Sequence, residues 1–257
     1  HLAVAPRCNL GCRYCERVIG ARAGSAAGPG TAESVLTPAE AAARADEIYA
    51  EGWLRVVGIA GPGEPLANPA TLETLRLIHN AHPDLLLCMS TNGLSLESSL
   101  PDLLEAGLSS LTVTISTTRR KTAAELYDWA AIGGDRLIGP SMAREVLSRQ
   151  WRGLGAAIRA GLLVKVNSVL IPGVTETDIE SVALRAGAIG VHRHNIMPLI
   201  PRGRMRNRRA PTSYELEQVR TQCERWLPQF RACTQCRADA IVPPLGEKGR
   251  VACGACN

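Results

Sequence analysis

Cys8-Asn9-Leu10-Gly11-Cys12-Arg13-Tyr14-Cys15 sets three cysteines at CxxxCxxC spacing directly after the apolar run Leu2 to Pro6. A structural zinc or a fully ligated cubane takes four protein ligands, and three thiolates are one fewer. A triad this tight, with no fourth cysteine or histidine adjoining it, points to a 4Fe-4S cluster with one open iron. An open iron is a place for chemistry, so Cys8, Cys12 and Cys15 are the candidate catalytic and metal-ligating residues. The competing reading is a zinc knuckle or three unrelated cysteines; the position after a strand favours the cluster.

Composition agrees with one globular enzyme. At 257 residues the chain reaches α/β barrel size and can bury a substantial core. Nine cysteines in clusters, without a secretory signal, argue for metal in a reducing compartment rather than a disulfide framework. No apolar run has membrane-spanning length and no signal peptide pattern is present, so a cytoplasmic location is expected. The chain begins at His1 rather than Met, and further residues are expected upstream. A formal charge of +5 suits an anionic substrate or cofactor. Only 4% of residues are aromatic, which leaves few stacking platforms and argues against nucleic acid.

Short β-type runs alternate with longer helical patterns, the signature of βα units on a parallel sheet. Leu2 to Pro6 reads as the first strand. A Gly, Ala and Ser-rich connection from Cys15 to Pro38 is long enough to suggest a functional loop. Thr37 then reads as an N-cap, with Pro38 at the first helical position and Glu40 in the first turn of a helix to about Glu51. Strands follow at Arg55 to Ala60, Leu85 to Ser90, Leu111 to Ser116, Val164 to Leu170 and His194 to Leu199. Helices are expected over Ser141 to Ala160, Glu176 to Ala188 and Ser213 to Trp226.

Strand alternation supplies further candidates. Leu86, Cys88, Ser90 and Asn92 share one face, as do Thr112, Thr114 and Ser116, and Lys165 and Asn167; Asn195 and Met197 share a face of the last strand. In a parallel barrel, sites form at the C-terminal ends of strands. Ser90, Asn92, Ser116 and Asn167 are therefore candidate cofactor-binding residues, suited to a ribose, an adenine or a carboxylate. A lumen satisfied by buried water is the ordinary alternative, and a small buried hydrophobe is the ordinary reading of Cys88.

The cysteine spacing, with an aromatic before the third cysteine, resembles the cluster loop of the radical S-adenosylmethionine (SAM) superfamily. Gly63-Glu64-Pro65 is similar to its Gly-Gly-Glu turn, which contacts the SAM amino group; a carboxylate such as Glu64 accepts hydrogen bonds from an ammonium. The resemblance implies SAM on the open iron, reductive cleavage to a 5'-deoxyadenosyl radical, and a partial (βα)6 TIM-like barrel over residues 1–210. Residues 211–257 would be a cysteine-containing C-terminal extension.

Longer strings narrow this. His1 to Asn9, Val57 to Pro69, Ser90 to Leu94, Lys165 to Gly173, His194 to Pro201 and Cys233 to Ala240 all resemble the NifB family of nitrogenase cofactor maturases. That family fuses two 4Fe-4S precursors into an 8Fe cluster with a central carbide. One SAM donates a methyl group and a second supplies the radical that abstracts hydrogen from it. The resemblance implies that His1 and Cys88 hold one precursor cluster and Cys233 and Cys236 the other. It also implies carrier proteins of nitrogenase assembly as cluster donors and acceptors.

The departures are specific. A further family cysteine falls at Gly20, or near Ala23, and the family's Glu-Ser-Arg-Pro-Gly string reads Ala26-Ala27-Gly28-Pro29-Gly30. The family's Thr-Ile-Asn is Thr114-Ile115-Ser116. Beyond Cys233 and Cys236, Cys253-Gly254-Ala255-Cys256 completes a CxxC, spacer, CxxC arrangement. It leaves three options: a zinc ribbon, one auxiliary iron-sulfur cluster, or a tail free of metal. Cys223 reads as a packed thiol. The run Arg202, Arg204, Arg206, Arg208 and Arg209 reads as a solvated loop or, more sharply, as an electropositive lip for an anionic cluster or acidic carrier. Three functions follow: a cofactor maturase, a radical SAM enzyme on another substrate with an auxiliary cluster, or a non-catalytic iron-sulfur or zinc scaffold.

Overall fold

In the computed structural model, which describes residues 1–22, 28–233 and 235–242, the expected α/β architecture is built on one parallel sheet. The chain opens with three short strands, β1 (Leu10–Cys12), β2 (Val18–Ile19) and β3 (Thr31–Ala32). Then come α1 (Pro38–Ala50), β4 (Val56–Ile59), α2 (Ala70–Ala81), β5 (Leu86–Thr91), α3 (Leu96–Glu105) and β6 (Leu108–Thr114). A helix α4 (Arg120–Leu126) and a hairpin of β7 (Tyr127–Ile132) and β8 (Asp135–Leu137) precede the long α5 (Gly139–Arg159). The chain continues through β9 (Leu163–Leu170), α6 (Ile179–Ala188), β10 (Arg193–Pro198) and α7 (Ser213–Glu224).

The sheet runs β10-β9-β6-β5-β4, every pair parallel. Alternation divides its faces. Ile59, Met89, Val113, Val166 and Ile196 are fully buried on the outer face. The inner face carries Cys88, Ser90, Thr112, Thr114, Lys165, Asn167 and Asn195, with Gly58 opposite Cys88, Ser90 opposite Thr112, and Asn167 opposite Asn195. The core is thus apolar and the lumen polar, as the sequence pattern requires.

Helix starts follow the capping chemistry. Thr37 accepts from the Glu40 backbone and Glu40 Oε2 accepts from the Thr37 backbone at 2.8 Å, a reciprocal box that Thr212 and Glu215 repeat at α7. On α5, Met142, Val146, Trp151 and Leu154 form a buried stripe with one polar member, Gln150. Gln150 Nε2 donates to the Asn92 and Thr114 carbonyls, each at 3.0 Å, and so closes the ends of two strands.

Two expectations change. Leu2 to Pro6 is buried and extended, but makes an isolated parallel bridge, Ala5 to Pro62, rather than a strand. Leu2 N–H donates to Gly58 O and Ala5 N–H to Gly61 O, so the segment lies in the sixth position beyond β4 without a continuous ladder. Pro6 has no N–H to extend one. The connection after Cys15 is also not wholly irregular, because β2 and β3 pair in parallel within it. Among the described residues no helix is long and apolar enough to cross a membrane.

The segment after α7 returns alongside β10, where Phe230 N–H donates to His194 O and His194 N–H to Pro228 O. It then crosses to the opposite edge, where Ala238 N–H donates to Thr31 O and Ala238 packs with Ala3 and Ala32. Beneath this return His194 is fully buried, its Nε2 bonded to Ser168 Oγ at 2.8 Å. Burial pushes its imidazole down to about 3. The unfolded imidazole takes a proton near its usual value while the folded one refuses it, so this contribution to stability is full above about 6.5 and falls as pH drops. Between pH 6.5 and 5 it amounts to about 2 kcal/mol. Urea unfolding should show His194→Gln, which keeps a donor for Ser168, losing about that much less than the parent over this interval; parallel pH profiles would refute the assignment.

Candidate active site

The cysteine loop is held from two sides. On one, β1 pairs antiparallel with β7, Leu10 opposite Ala130 and Cys12 opposite Tyr127. Arg13 N–H donates to Leu126 O at 2.9 Å and Ala131 N–H to Asn9 O at 2.8 Å. On the other, the turn after β4 grips the residues before Cys8. Gly63 N–H donates to Ala5 O at 2.6 Å and Glu64 N–H to Arg7 O at 2.8 Å. Gly63 is required sterically: a Cβ there would lie 2.2 Å from Arg7 O.

Asn68 completes the grip. Its Oδ1 accepts from Arg7 N–H at 3.2 Å, and its Nδ2 donates to Arg7 O at 2.9 Å and Glu64 O at 2.7 Å. Glu64, 3% exposed, accepts three bonds on its carboxylate: from Thr91 Oγ1 at 2.5 Å, Asn92 N–H at 2.7 Å and Leu66 N–H at 3.1 Å. Burial pushes its carboxyl up to about 7 against the pull of those donors. Asn92 Nδ2 then donates to Asn9 Oδ1 at 2.7 Å, inside the cysteine loop. The circuit joins Glu64, Asn68, Thr91, Asn92 and Asn9 and fixes the loop over the C-terminal end of β5.

Cys8 and Cys12 are half-buried and Cys15 is exposed. Burial pushes all three thiols up, Cys15 to about 11, and the charges of the neighbouring cysteines raise Cys12 and Cys15 further. Thiols crowded where lone thiolates are disfavoured suit iron, which takes thiolate ligands and neutralises them. Among the described residues no three His, Cys, Asp or Glu side chains converge on a single-ion point. The cysteines of a cubane each bind a different iron. The donor set fits a cluster, and Cys8, Cys12 and Cys15 would hold it.

Of the other candidates, Asn167 Oδ1 accepts from Asn195 Nδ2 at 3.0 Å, leaving Asn195 Oδ1 buried without a partner among the described residues. Ser90 lies half-buried on the same face, whereas Ser116 is fully buried and its Oγ accepts from Val169 N–H at 3.0 Å. The His1 ring sits over Gly58, beside Cys88 in register, and its Nδ1–H donates to Arg237 O at 3.2 Å. Arg237 directly follows Cys236, so this bond brings the returning tail to the strand pair that carries Gly58 and Cys88. Cys233 is half-buried on that tail. Cys253 and Cys256 lie outside the described residues, as do Ala23, Ala26 and Ala27. Cys223 is buried on α7, its thiol pushed up to about 12 by burial.

A sequence model of the radical SAM superfamily matches residues 2–186. The FeMo cofactor biosynthesis protein NifB of Methanocaldococcus jannaschii is 38% identical over 242 residues, covering 94% of this chain and 80% of that protein. The chain belongs to the NifB family of radical SAM proteins. The Klebsiella pneumoniae NifB is 42% identical over 249 residues, but only 53% of it is covered, so the chain spans about half the length of that relative. Solved structures agree on the fold: Streptococcus suis SuiB superimposes with a TM-score of 0.62 at 14% identity over 91% of this chain and 49% of that one. A radical SAM methyltransferase from Sphaerobacter thermophilus gives 0.55 at 20% identity over 90% of this chain and 70% of that one. Membership implies the superfamily's 4Fe-4S cluster and SAM for this chain.

Sequence reasoning passed over Asn9, Asn68, Thr91 and Gln150. It also missed the hairpin behind the loop, although Gly133-Gly134 between β-type runs was a readable signal; both glycines have positive φ, 61° and 92°. The arginine run is neither free throughout nor remote. Arg204 N–H donates to Arg13 O, and Asp128 Oδ1 accepts from Arg13 at 2.8 Å and Arg204 at 2.5 Å. Arg209 instead pairs with both oxygens of Glu215.

Asn68→Ala removes three hydrogen bonds next to Cys8. We expect a loss of about 2–3 kcal/mol in urea unfolding and, after anaerobic reconstitution and desalting, less iron retained than in the parent. Iron retention equal to the parent's would mean that the clamp does not set the loop.

Proposed function

We propose that this chain is a radical SAM maturase that fuses two 4Fe-4S precursors and inserts a SAM-derived carbide, yielding the 8Fe core precursor of the nitrogenase cofactor. The observation that carries the reading is the return of the tail to the barrel edge, where the His1 ring, over Gly58 and so beside Cys88 in register, bonds to Arg237 O next to Cys236. Two cluster substrates must sit side by side to be joined, and ligands from opposite ends of the chain gathered at one place suit that demand. The resident cluster would supply the electron that cleaves SAM. In this reading residues 1–210 carry the SAM chemistry and 211–257 the extension that delivers Cys233 and Cys236.

The chain's own residues have distinct tasks. Glu64 and Asn92 fix the cysteine loop and leave the inner face open. Asn167, half-buried on the inner face, offers its amide N–H to SAM, and the buried Asn195 orients that amide by donating to its Oδ1. Ser90 borders it on that face, and Ser116, fully buried, supports the face from behind through its bond to Val169 N–H. Cluster donor and acceptor proteins would approach at the tail.

A second reading, a radical SAM enzyme with one auxiliary cluster, is favoured by one observation. Where the resemblance implies a further cysteine this chain has Gly20, or Ala23 if the loop is shifted; Gly20 is exposed and its backbone N–H donates to Ala32 and Glu33. Anaerobic reconstitution separates the readings: about twelve irons for the maturase, about eight for an auxiliary-cluster enzyme and about four for a bare radical SAM centre or carrier. Cys88→Ala and Cys236→Ala should each lower iron while leaving deoxyadenosine formation in place, and Cys12→Ala should abolish deoxyadenosine. An iron content of about four that neither variant lowers would sink the fusion reading.

A further inference from the structure

A cleft of about 490 Å³, lined by none of the residues of the cysteine loop, opens on the helical layer between the start of α4, the middle of α5 and the end of α6. Four guanidiniums line it, those of Arg120, Arg144, Arg152 and Arg185, and among the described residues no carboxylate does. Arg144, Ser148 and Arg152 lie four residues apart along α5, a stripe of about 12 Å. Arg152 is partnered by Glu97 at 2.9 Å and Arg185 lies over the Trp151 ring at 4.2 Å. Arg120 and Arg144 are exposed and have no ion-pair or hydrogen-bond partner among the described residues.

Like charges held this close repel, and nothing in the fold requires four of them on one cleft. A second observation points the same way. Trp151 also lines the cleft, and its indole Nε1–H is buried without a hydrogen-bond partner. Buried donors are normally satisfied; this one is closed to the cleft as it stands, and an acceptor drawn in by the four cations would reach it when Trp151 or the Arg185 over its ring shifts. The hydroxyls of Thr118 and Ser148 add two further donors at the rim.

We propose that this cleft binds a small oligophosphate, held by Arg120 and Arg144 with Arg152 and Arg185 behind them. Guanidinium forks match phosphate oxygens bidentately, and a ligand with two phosphate groups can span the α5 stripe. Recognition is through phosphate rather than a base, because Trp151 is only 7% exposed and Arg185 occupies its ring face. The inference does not depend on the cluster chemistry proposed above.

Inorganic pyrophosphate is the probe, titrated at constant ionic strength into the full chain with its cluster loaded. Heat of binding and the Trp151 indole N–H resonance, identified by its loss in Trp151→Phe, are both read. We expect saturable binding that moves this resonance, at least tenfold tighter than inorganic phosphate. Arg120→Gln/Arg144→Gln should weaken it at least tenfold with an unchanged melting temperature. Equal affinity in that double variant would overturn the proposal, as would an equal shift from chloride at matched ionic strength. Tighter binding of a glutamate-rich peptide or a single-stranded oligonucleotide than of pyrophosphate would assign the cleft to a macromolecule instead.

Discussion

Everything at the mouth of this sheet depends on the grip that Asn68 and Glu64 take on the chain before Cys8. The cysteine loop has little apolar mass of its own; Cys8 and Cys12 are half-buried and Cys15 is exposed. Hydrophobic burial therefore cannot fix it to within the tolerance a metal cluster needs. A fully satisfied polar network can, because in a dry site each unmet donor or acceptor costs more than a made bond returns. Asn68 uses its acceptor and both of its donors, and the Glu64 carboxylate faces three donors. Moving the loop would break several such bonds together.

This arrangement assigns Glu64 a narrower role than its motif implies. Its carboxylate is turned into the scaffold, toward Thr91 and the Asn92 backbone, and is almost wholly covered. What the turn presents outward is backbone. The Gly63-Glu64 pair then has two linked tasks: the glycine lets the strand pass Arg7 closely, and the acid ties that passage to the tip of β5.

Local chemistry was legible in the sequence and long-range assembly was not. The Thr37 cap, the alternating faces of β5, β6 and β9, and the spacing of Cys8, Cys12 and Cys15 all depend on residues within a few positions of each other, so periodicity and capping rules reach them. Asn68 bonds across 61 residues, Gln150 across 58 and Asn92 across 83, and no local signal marks an amide as a clamp. Leu2 to Pro6 misled for a related reason. Its apolar content is that of a strand, but the burial that selects those side chains comes from the elements packed around it, not from a ladder. The contact of His1 with Arg237, next to Cys236, was visible only as separate family strings, and nothing in either string placed them together.

The tail shows how such a meeting is held. Arg237, 8% exposed, follows Cys236 directly and donates to the carbonyls of Ala21 and Arg22 at 3.0 and 3.1 Å. Its other contacts go to Asp239, whose carboxyl it holds below the ordinary carboxylate range, and Asp239 accepts from Glu33 N–H at 2.7 Å. The two residues thus tie Ala21, Arg22 and Glu33, on either side of the loop that follows β2, to the tail. A charged pair that is mostly desolvated stabilises little beyond a well-packed apolar substitute, but it is far more particular about geometry. In this chain the loop and the tail are therefore registered by a guanidinium and a carboxylate, and Cys236 is positioned whether or not a metal ligand is supplied from the loop.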